Sequence, residues 1–303
     1  MKAEINDPRK RKSSPSRLQV ATLILPATFW LFLFFLLPIG ILLVYSFCQP
    51  NTTAPRGVTW NFTFDNYLKF INPAWSSQPD FVDLKPVLLR SVWLAIINTF
   101  LCLLIGYPMA YYISKKSLKV KNILLLLVIL PFWTNFLART YAWIIILRDS
   151  GLINSILMGL GLIQSPIQLM STRGAVIVGL VYGYLPFMVL PLYASIEKIN
   201  PSYFEAAYDL GANGFQAFLR IMLPLTLPGI ITGSILVFVP TLGAFITPDM
   251  LGGAKVMMIG NSIKIQYLSV RNWPFGSALS FILLAIVLAV LFLYARFGNL
   301  DEK

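Results

Sequence analysis

The chain has 303 residues, of which 57% are hydrophobic and 12% are charged, and its net charge is +12. Soluble domains carry about twice this charged fraction, so the composition excludes an ordinary soluble protein. Histidine is absent, which excludes imidazole-based zinc sites, haem ligation by histidine and Ser-His or Cys-His catalysis within the chain. The sequence contains no G-x-x-x-x-G-K-[ST] loop, so a partner must supply any ATP site.

Six apolar segments are predicted to cross a membrane as helices, because each is long enough for a hydrocarbon core of about 30 Å. They are residues 20–47, 87–114, 122–148, 174–197, 222–245 and 275–297. The first segment follows a basic tail, residues 1–19, and is too long for a cleaved signal peptide. We therefore expect one all-α, multi-pass domain over residues 20–297 and a short C-terminal tail, residues 298–303.

Basic residues flank these segments, which explains the net charge better than nucleic-acid binding does. The loop after the second segment carries four lysines, Lys115, Lys116, Lys119 and Lys121. The positive-inside rule then predicts that this loop and both termini are cytoplasmic. The loops 48–86, 149–173 and 246–274 are predicted to lie outside. Two cysteines within or beside apolar blocks indicate packing and no disulfide framework.

The predicted cytoplasmic segment between the fourth and fifth spans has the pattern of a helix, a turn and a second helix. Ser202 is predicted to cap the first helix, with Glu205 completing a capping box. Gly211 is placed to end that helix in a left-handed conformation. Ala206 and Ala207 leave room for another surface to approach. From this pattern alone, the alternative interpretation is an interfacial helix lying on lipid.

The spacing Glu-Ala-Ala, three residues, Gly, nine residues, Ile-x-Leu-Pro resembles the EAA loop of permease subunits of ABC importers. We call residues 200–224 the EAA unit. In that family the loop docks into a cleft on the ATPase subunit, and the resemblance implies this role for Glu205, Ala206, Ala207 and Gly211. Pro224 lies near the start of the fifth span, where its missing N–H is tolerated.

The resemblance also implies the type I ABC importer fold and a non-catalytic subunit without a cofactor. The implied partners are a homologous second permease, two ATPase subunits on the cytoplasmic side and an extracytoplasmic substrate-binding protein. The implied location is the bacterial inner membrane.

Further segments are similar to the B-type permeases of spermidine/putrescine importers. They are P-F-W-T-N at 131–135, G-L-V-Y at 179–182, L-P-F-M at 185–188, D-M-L-G-G-A-K at 249–255, G-N at 260–261 and N-W-P-F-G at 272–276. A permease of the same class for thiamine, iron or phosphonate shares the EAA loop and is the main alternative. A secondary transporter is less consistent, because it needs intramembrane carboxylates and none falls deep in a predicted span.

A polyamine pathway must offer acceptors and aromatic faces to several positive charges. Trp133, Thr134 and Asn135 are candidates near the middle of the third segment, where Pro131 interrupts the helical pattern. Helix packing is the alternative role for all three. Arg139 would repel a cation, and we predict that its side chain reaches outward to the membrane interface.

Three further residues are candidates for the same pathway. Tyr182 and Tyr184 are predicted to supply rings and phenol oxygens to one cavity, with helix packing or interfacial anchoring as the alternatives. Asp249 is predicted to attract an arriving cation at the outer mouth, unless it is only a solvated loop residue.

Overall fold

A computed structural model describes residues 17–51, 58–72, 84–253 and 255–298. Nearly all of the predicted N-terminal tail and C-terminal tail, together with Ala254, lie outside the described residues. The helices are α1 (Arg17–Leu31), α2 (Leu37–Ser46), α3 (Asp65–Ile71), α4 (Lys85–Ser114), α5 (Leu118–Trp133), α6 (Phe136–Leu147), α7 (Leu152–Gly159), α8 (Arg173–Glu197), α9 (Ser202–Asp209), α10 (Gly214–Ala217), α11 (Leu223–Leu225), α12 (Leu227–Leu242), α13 (Ile246–Gly252), α14 (Ile259–Leu268) and α15 (Trp273–Gly298). The expected all-α class is confirmed.

Short non-α elements connect some of these helices. A π-helical turn, Phe32–Leu36, joins α1 to α2, and a second one, Phe218–Met222, lies between α10 and α11. Strands β1 (Gln49–Pro50) and β2 (Val58–Thr59) pair antiparallel just beyond α2, with Gln49 opposite Thr59. They form a small two-stranded sheet beside the helical bundle.

Helices α4, α8 and α12 form the centre of the bundle. Their contact surface includes a buried apolar cluster containing Cys102, Met188 and Val237. A buried hydrogen bond of 2.8 Å runs from the Asn98 amide on α4 to the Thr241 hydroxyl on α12. Small residues and interhelical hydrogen bonds hold helices together where lipid removes the hydrophobic driving force, and both occur here.

Within the described residues, five helical stretches are long and apolar enough to cross a membrane. They are Ile24–Ser46, Lys85–Ser114, Phe136–Gly159, Arg173–Glu197 and Trp273–Phe292. A sixth is obtained when the pair Gly214–Leu225 and Leu227–Leu242, bent by 64°, is counted as one span. The predicted six spans are therefore reached only with this bent pair, whose bend lies at Thr226.

The third predicted span, residues 122–148, is not one helix. It divides into α5 and α6 at Thr134 and Asn135, and the long apolar stretch begins only at Phe136. Pro131 cannot donate a backbone hydrogen bond, which weakens the end of α5. The Asn135 side chain then accepts a bond of 2.8 Å from the Leu137 amide and caps α6.

The predicted outer loop 246–274 contains two helices, and the first of them packs closely on α8. A Cβ atom on Gly179 would lie 2.5 Å from the Leu251 side chain and 2.8 Å from that of Thr247. Gly179 lies only six residues into α8, or about 9 Å along its axis. Helix α13 therefore lies alongside the bundle and not free in solvent.

Candidate functional site

The EAA unit begins with α9, but not with the predicted cap. Pro201 occupies the N-cap position in a helical conformation, and Ser202 makes no side-chain capping bond. The helix thus starts one residue earlier than a Ser202 cap would require, and the predicted box of Ser202 and Glu205 is wrong. The capping box lies instead at the start of α10, where the Asn213 and Gln216 side chains bond each other's backbone amides at 2.8 and 3.0 Å.

Helix α9 ends as predicted, with Gly211 in the left-handed conformation at a φ of +82°. The Gly211 amide donates to the Tyr208 carbonyl at 2.9 Å, and the Ala212 amide donates to the Ala207 carbonyl at 2.9 Å. These two bonds make a Schellman motif, which satisfies carbonyls left open at the helix end. The left-handed glycine therefore fixes the direction in which the chain leaves α9.

The predicted docking residues divide between two faces of α9. Glu205 and Ala206 are exposed, whereas Ala207 is buried against the rest of the chain. The Glu205 carboxylate forms no hydrogen bond or ion pair with any described residue. The exposed face thus offers a carboxylate and a small side chain, and Ala207 seats the helix.

Aromatic contacts seat the EAA unit on the end of α4. The Tyr107 and Phe218 rings meet edge to face at 5.5 Å, and the Lys115 ammonium lies 5.7 Å from the Phe204 ring. The Tyr107 hydroxyl also lies 2.9 Å from the buried Thr226 hydroxyl, at the 64° bend. Movement of the EAA unit would therefore be transmitted to α4 and α12 together.

An ion pair joins α5 to the end of α8, directly before the EAA unit. The Lys121 ammonium donates to both carboxylate oxygens of Glu197, at 2.7 and 2.9 Å. The two residues are 76 positions apart, so no local pattern in the sequence could have paired them.

The three residues predicted near the middle of the third span lie at the break between α5 and α6, and all are exposed on this chain. The Thr134 hydroxyl donates to the Pro131 carbonyl at 2.7 Å, and the Asn135 oxygen is engaged as the helix cap. The Trp133 ring is 75% exposed. The break thus presents an exposed indole ring, while its polar groups chiefly stabilise the ends of α5 and α6.

Tyr182 and Tyr184 have different surroundings on this chain. Tyr182 lines a groove of about 300 Å³ between α4, α5 and α8, with Pro131 on the opposite wall. Tyr184 turns away, and its hydroxyl donates to the Pro240 carbonyl at 3.4 Å. Two residues apart on a helix are separated by about 200° around its axis, which explains why only Tyr182 faces this groove.

The Asp249 carboxylate is engaged with neighbouring residues. It forms an ion pair with Lys264 at 2.5 Å and accepts a hydrogen bond from the Asn261 amide. The same Asn261 amide donates to the Phe245 carbonyl at 2.9 Å. The adjacent ammonium offsets the negative field that an isolated carboxylate would present to an arriving cation.

Arg139 does not extend to the interface as predicted. Its guanidinium lies over the Phe132 and Phe136 rings, at 5.4 and 5.5 Å from their centres. Its Nε and Nη1 atoms are buried and have no hydrogen-bond partner among the described residues. The aromatic rings at the α5–α6 break retain the charge inside the bundle.

Comparison with known proteins identifies the class of this bundle. Residues 15–299 match the family described as "Binding-protein-dependent transport system inner membrane component". The chain belongs to this family. As a member, it is an inner-membrane component of a binding-protein-dependent transport system, as the EAA unit predicted.

Two relatives match nearly the whole chain. It is 45% identical over 274 residues to the spermidine/putrescine transport system permease protein PotB of Escherichia coli K12, covering 90% of this chain and 96% of the relative. It is 44% identical over 274 residues to the protein of the same name in Haemophilus influenzae, covering 90% of this chain and 92% of the relative. The resemblance drawn from the sequence is thereby confirmed.

The fold also matches a solved ABC transporter. One chain of the bacterial alginate ABC transporter in complex with an alginate pentasaccharide-bound periplasmic protein superposes with a TM-score of 0.69. The match covers 92% of this chain and 93% of that chain, at 19% identity. At this identity the likeness concerns the fold alone, and it confirms the predicted fold of an ABC importer permease.

Proposed function

We propose that this chain is the permease subunit of an ATP-driven polyamine importer and forms half of its translocation pathway. The observation that carries the proposal is the exposed α9 face: its Glu205 carboxylate pairs with no residue in the described part of the chain, and Gly211 fixes the end of the helix. The polyamine assignment is supported by 44–45% identity to permeases named for spermidine and putrescine. A homologous second permease would form the other half of the pathway.

The EAA unit would lie in the cytoplasm and dock on one of two ATPase subunits. The basic loop between α4 and α5 supports this orientation under the positive-inside rule, and it also makes both termini cytoplasmic. An extracytoplasmic substrate-binding protein would then meet the opposite end of the bundle. In this scheme residues 20–297 form the transporting domain, and ATPase closure moves the EAA unit and the helices it contacts.

The pathway would use the aromatic surface around the α5–α6 break. Trp133 is exposed there, and Tyr182 lines the adjacent groove and meets the Trp143 ring edge to face at 5.6 Å. Each ring facing an ammonium group contributes roughly 0.5–2 kcal/mol, which is weak enough to allow release. Thr134, Asn135 and Tyr184 would support this surface through packing and capping, and Asp249 would act with Lys264 near the outer end.

The substrate assignment is tested by uptake into proteoliposomes containing the complete transporter, with ATP inside and the binding protein outside. We expect labelled spermidine to accumulate, and excess unlabelled spermidine or putrescine to suppress the signal. Thiamine and ferric chelates should leave it unchanged. Suppression by thiamine or iron alone would assign another solute to this permease, and accumulation without ATPase subunits would contradict the importer class.

The docking role is tested by Glu205→Gln, which removes the charge and retains the shape of the side chain. We expect at least about a tenfold loss of ATPase co-purification and of uptake, because a hydrogen bond to a charged group contributes about 1.5 kcal/mol or more. Asp209→Asn, four residues along the same helix, is the matched control. Equal losses in the two variants would show that general charge, and not Glu205, attracts the ATPase.

A further inference from the structure

A cavity of about 570 Å³ lies between the end of α4 and the EAA unit. Lys115 is the one charged residue that lines it, and six lining residues are aromatic: Tyr107, Tyr111, Phe204, Tyr208, Phe215 and Phe218. Gly214 is a further lining residue. At its margin Phe215 is 70% exposed and Tyr208 is 54% exposed. The cavity is therefore apolar, reachable from outside the chain, and marked by one positive charge.

The charge lies at one end of the cavity. Lys115 follows the last residue of α4, and Tyr107 lies eight positions earlier, or about 12 Å deeper along the helix axis. Because α4 is a membrane-spanning helix, this direction runs from the bilayer surface towards its interior. The α4 wall of the cavity therefore runs from Lys115 at headgroup level to Tyr107 at the level of the upper acyl chains, and the EAA unit forms the opposite wall.

Two more lysines extend this positive surface. The Lys116 ammonium lies 4.2 Å from the centre of the Tyr112 ring, and Lys119 is exposed at the start of α5. Neither these two nor Lys115 forms an ion pair with a described residue, whereas the nearby Lys121 is neutralised by Glu197. Lys115 lines the apolar cavity, and Lys116 and Lys119 follow it within four residues, so one short segment holds three ammonium groups without an ion-pair partner among the described residues.

We propose that this cavity binds an anionic phospholipid, with the headgroup phosphate on Lys115, Lys116 and Lys119 and an acyl chain along the aromatic wall. Anionic headgroups are attracted to basic clusters directly beside membrane helices, and basic pockets between helices bind them. A soluble anion would satisfy the lysines but not the apolar wall, and a zwitterionic lipid would fill the wall but gain less from the lysines.

The bound lipid would contact the part of the chain that bends. Tyr107 and Phe218 line the cavity and touch each other, and Tyr107 bonds Thr226 at the 64° bend. Lipid occupancy would therefore stabilise the arrangement of the EAA unit on α4 and link the coupling step to the membrane's anionic content. This regulatory role rests on the proposed function, whereas lipid binding itself does not.

Native mass spectrometry of the complete transporter, titrated with phosphatidylglycerol or phosphatidylcholine of equal chain length, tests the site. We expect phosphatidylglycerol to bind more tightly, Lys115→Gln to weaken it about fivefold, and the triple Lys115→Gln, Lys116→Gln, Lys119→Gln variant about 100-fold. Lys255→Gln, an exposed lysine in the predicted outer loop, should leave binding unchanged.

A second variant fills the cavity without altering charge. A side chain at Gly214 meets open space, since no heavy atom lies within 4 Å of its Cβ position, so Gly214→Leu should displace the lipid while the chain still folds. Equal binding of both lipids, or unchanged binding in the triple variant, would overturn the proposal. Full competition by inorganic phosphate would assign the site to a soluble anion. Lipid binding that occurs only when the permease lacks its ATPase subunits would assign the cavity to the ATPase. Because binding is measured directly, failure of polyamine uptake would not affect these results.

Discussion

Replacing Gly211 by valine is expected to reduce ATP-driven uptake at least tenfold. The residue has φ of +82°, and a β-branched side chain in this region costs of order 1–3 kcal/mol. To escape the strain, the chain must open the two hydrogen bonds that end α9 and leave the helix in another direction. The exposed α9 face would then no longer be held at a fixed angle to α10. Uptake into proteoliposomes and co-purification of the ATPase measure the loss.

The matched control for this prediction is Gly211→Asn. A Cβ atom at this position meets no heavy atom within 4 Å, so any substitution acts through the backbone conformation alone. Asparagine adopts the left-handed region more readily than other L-residues, and we expect it to retain most of the uptake. Equal uptake by the valine and asparagine variants would contradict a conformational role for the glycine.

The sequence predicted best those features that depend on neighbouring residues. The apolar blocks predicted the long helices, and Gly211, which follows Leu210, was predicted to end α9 in a left-handed conformation. The capping box failed because two sites fit its pattern, and Pro201 moved the start of α9 by one residue. The pair Asn213 and Gln216 matched the pattern equally well and formed the box.

Contacts between distant parts of the chain could not be predicted in this way. The ion pairs Lys121–Glu197 and Asp249–Lys264 depend on which helix ends meet in the fold. The residues next to each charged side chain do not indicate its partner. The stacking of Arg139 on rings from both sides of the α5–α6 break is a tertiary result of the same kind. These contacts changed the assignment of several pathway candidates from free groups to packed ones.

Helix geometry explains why two pathway candidates on α8 have different surroundings. Tyr182 and Tyr184 were expected in one cavity, although residues two apart point to nearly opposite sides of a helix. The structure accordingly divides them between a groove and the contact with Pro240. Candidate residues on one helix should therefore be grouped at spacings of three or four.

Substituting Gly229 by alanine is expected to destabilise the permease. The added Cβ would lie 2.6 Å from the Ser195 Cβ and 2.8 Å from the Pro191 carbonyl oxygen. A backbone oxygen cannot rotate away as a long side chain can, so α8 and α12 must separate. Overpacking of this kind costs typically 1–3 kcal/mol, and we expect a lower yield of folded protein and a lower melting temperature. Gly159→Ala, where the Cβ meets open space, should change neither.

A compensating change at Ser195 separates the two contacts. In the double variant Gly229→Ala with Ser195→Gly, the side-chain clash disappears and the carbonyl of Pro191 remains, so we expect partial recovery of stability. Full recovery would show that the backbone contact is unimportant, and no recovery would show that it dominates. Helices α8 and α12 flank the EAA unit on either side, so their separation also sets where α9 and α10 begin. Uptake by the double variant should therefore recover less than its stability does.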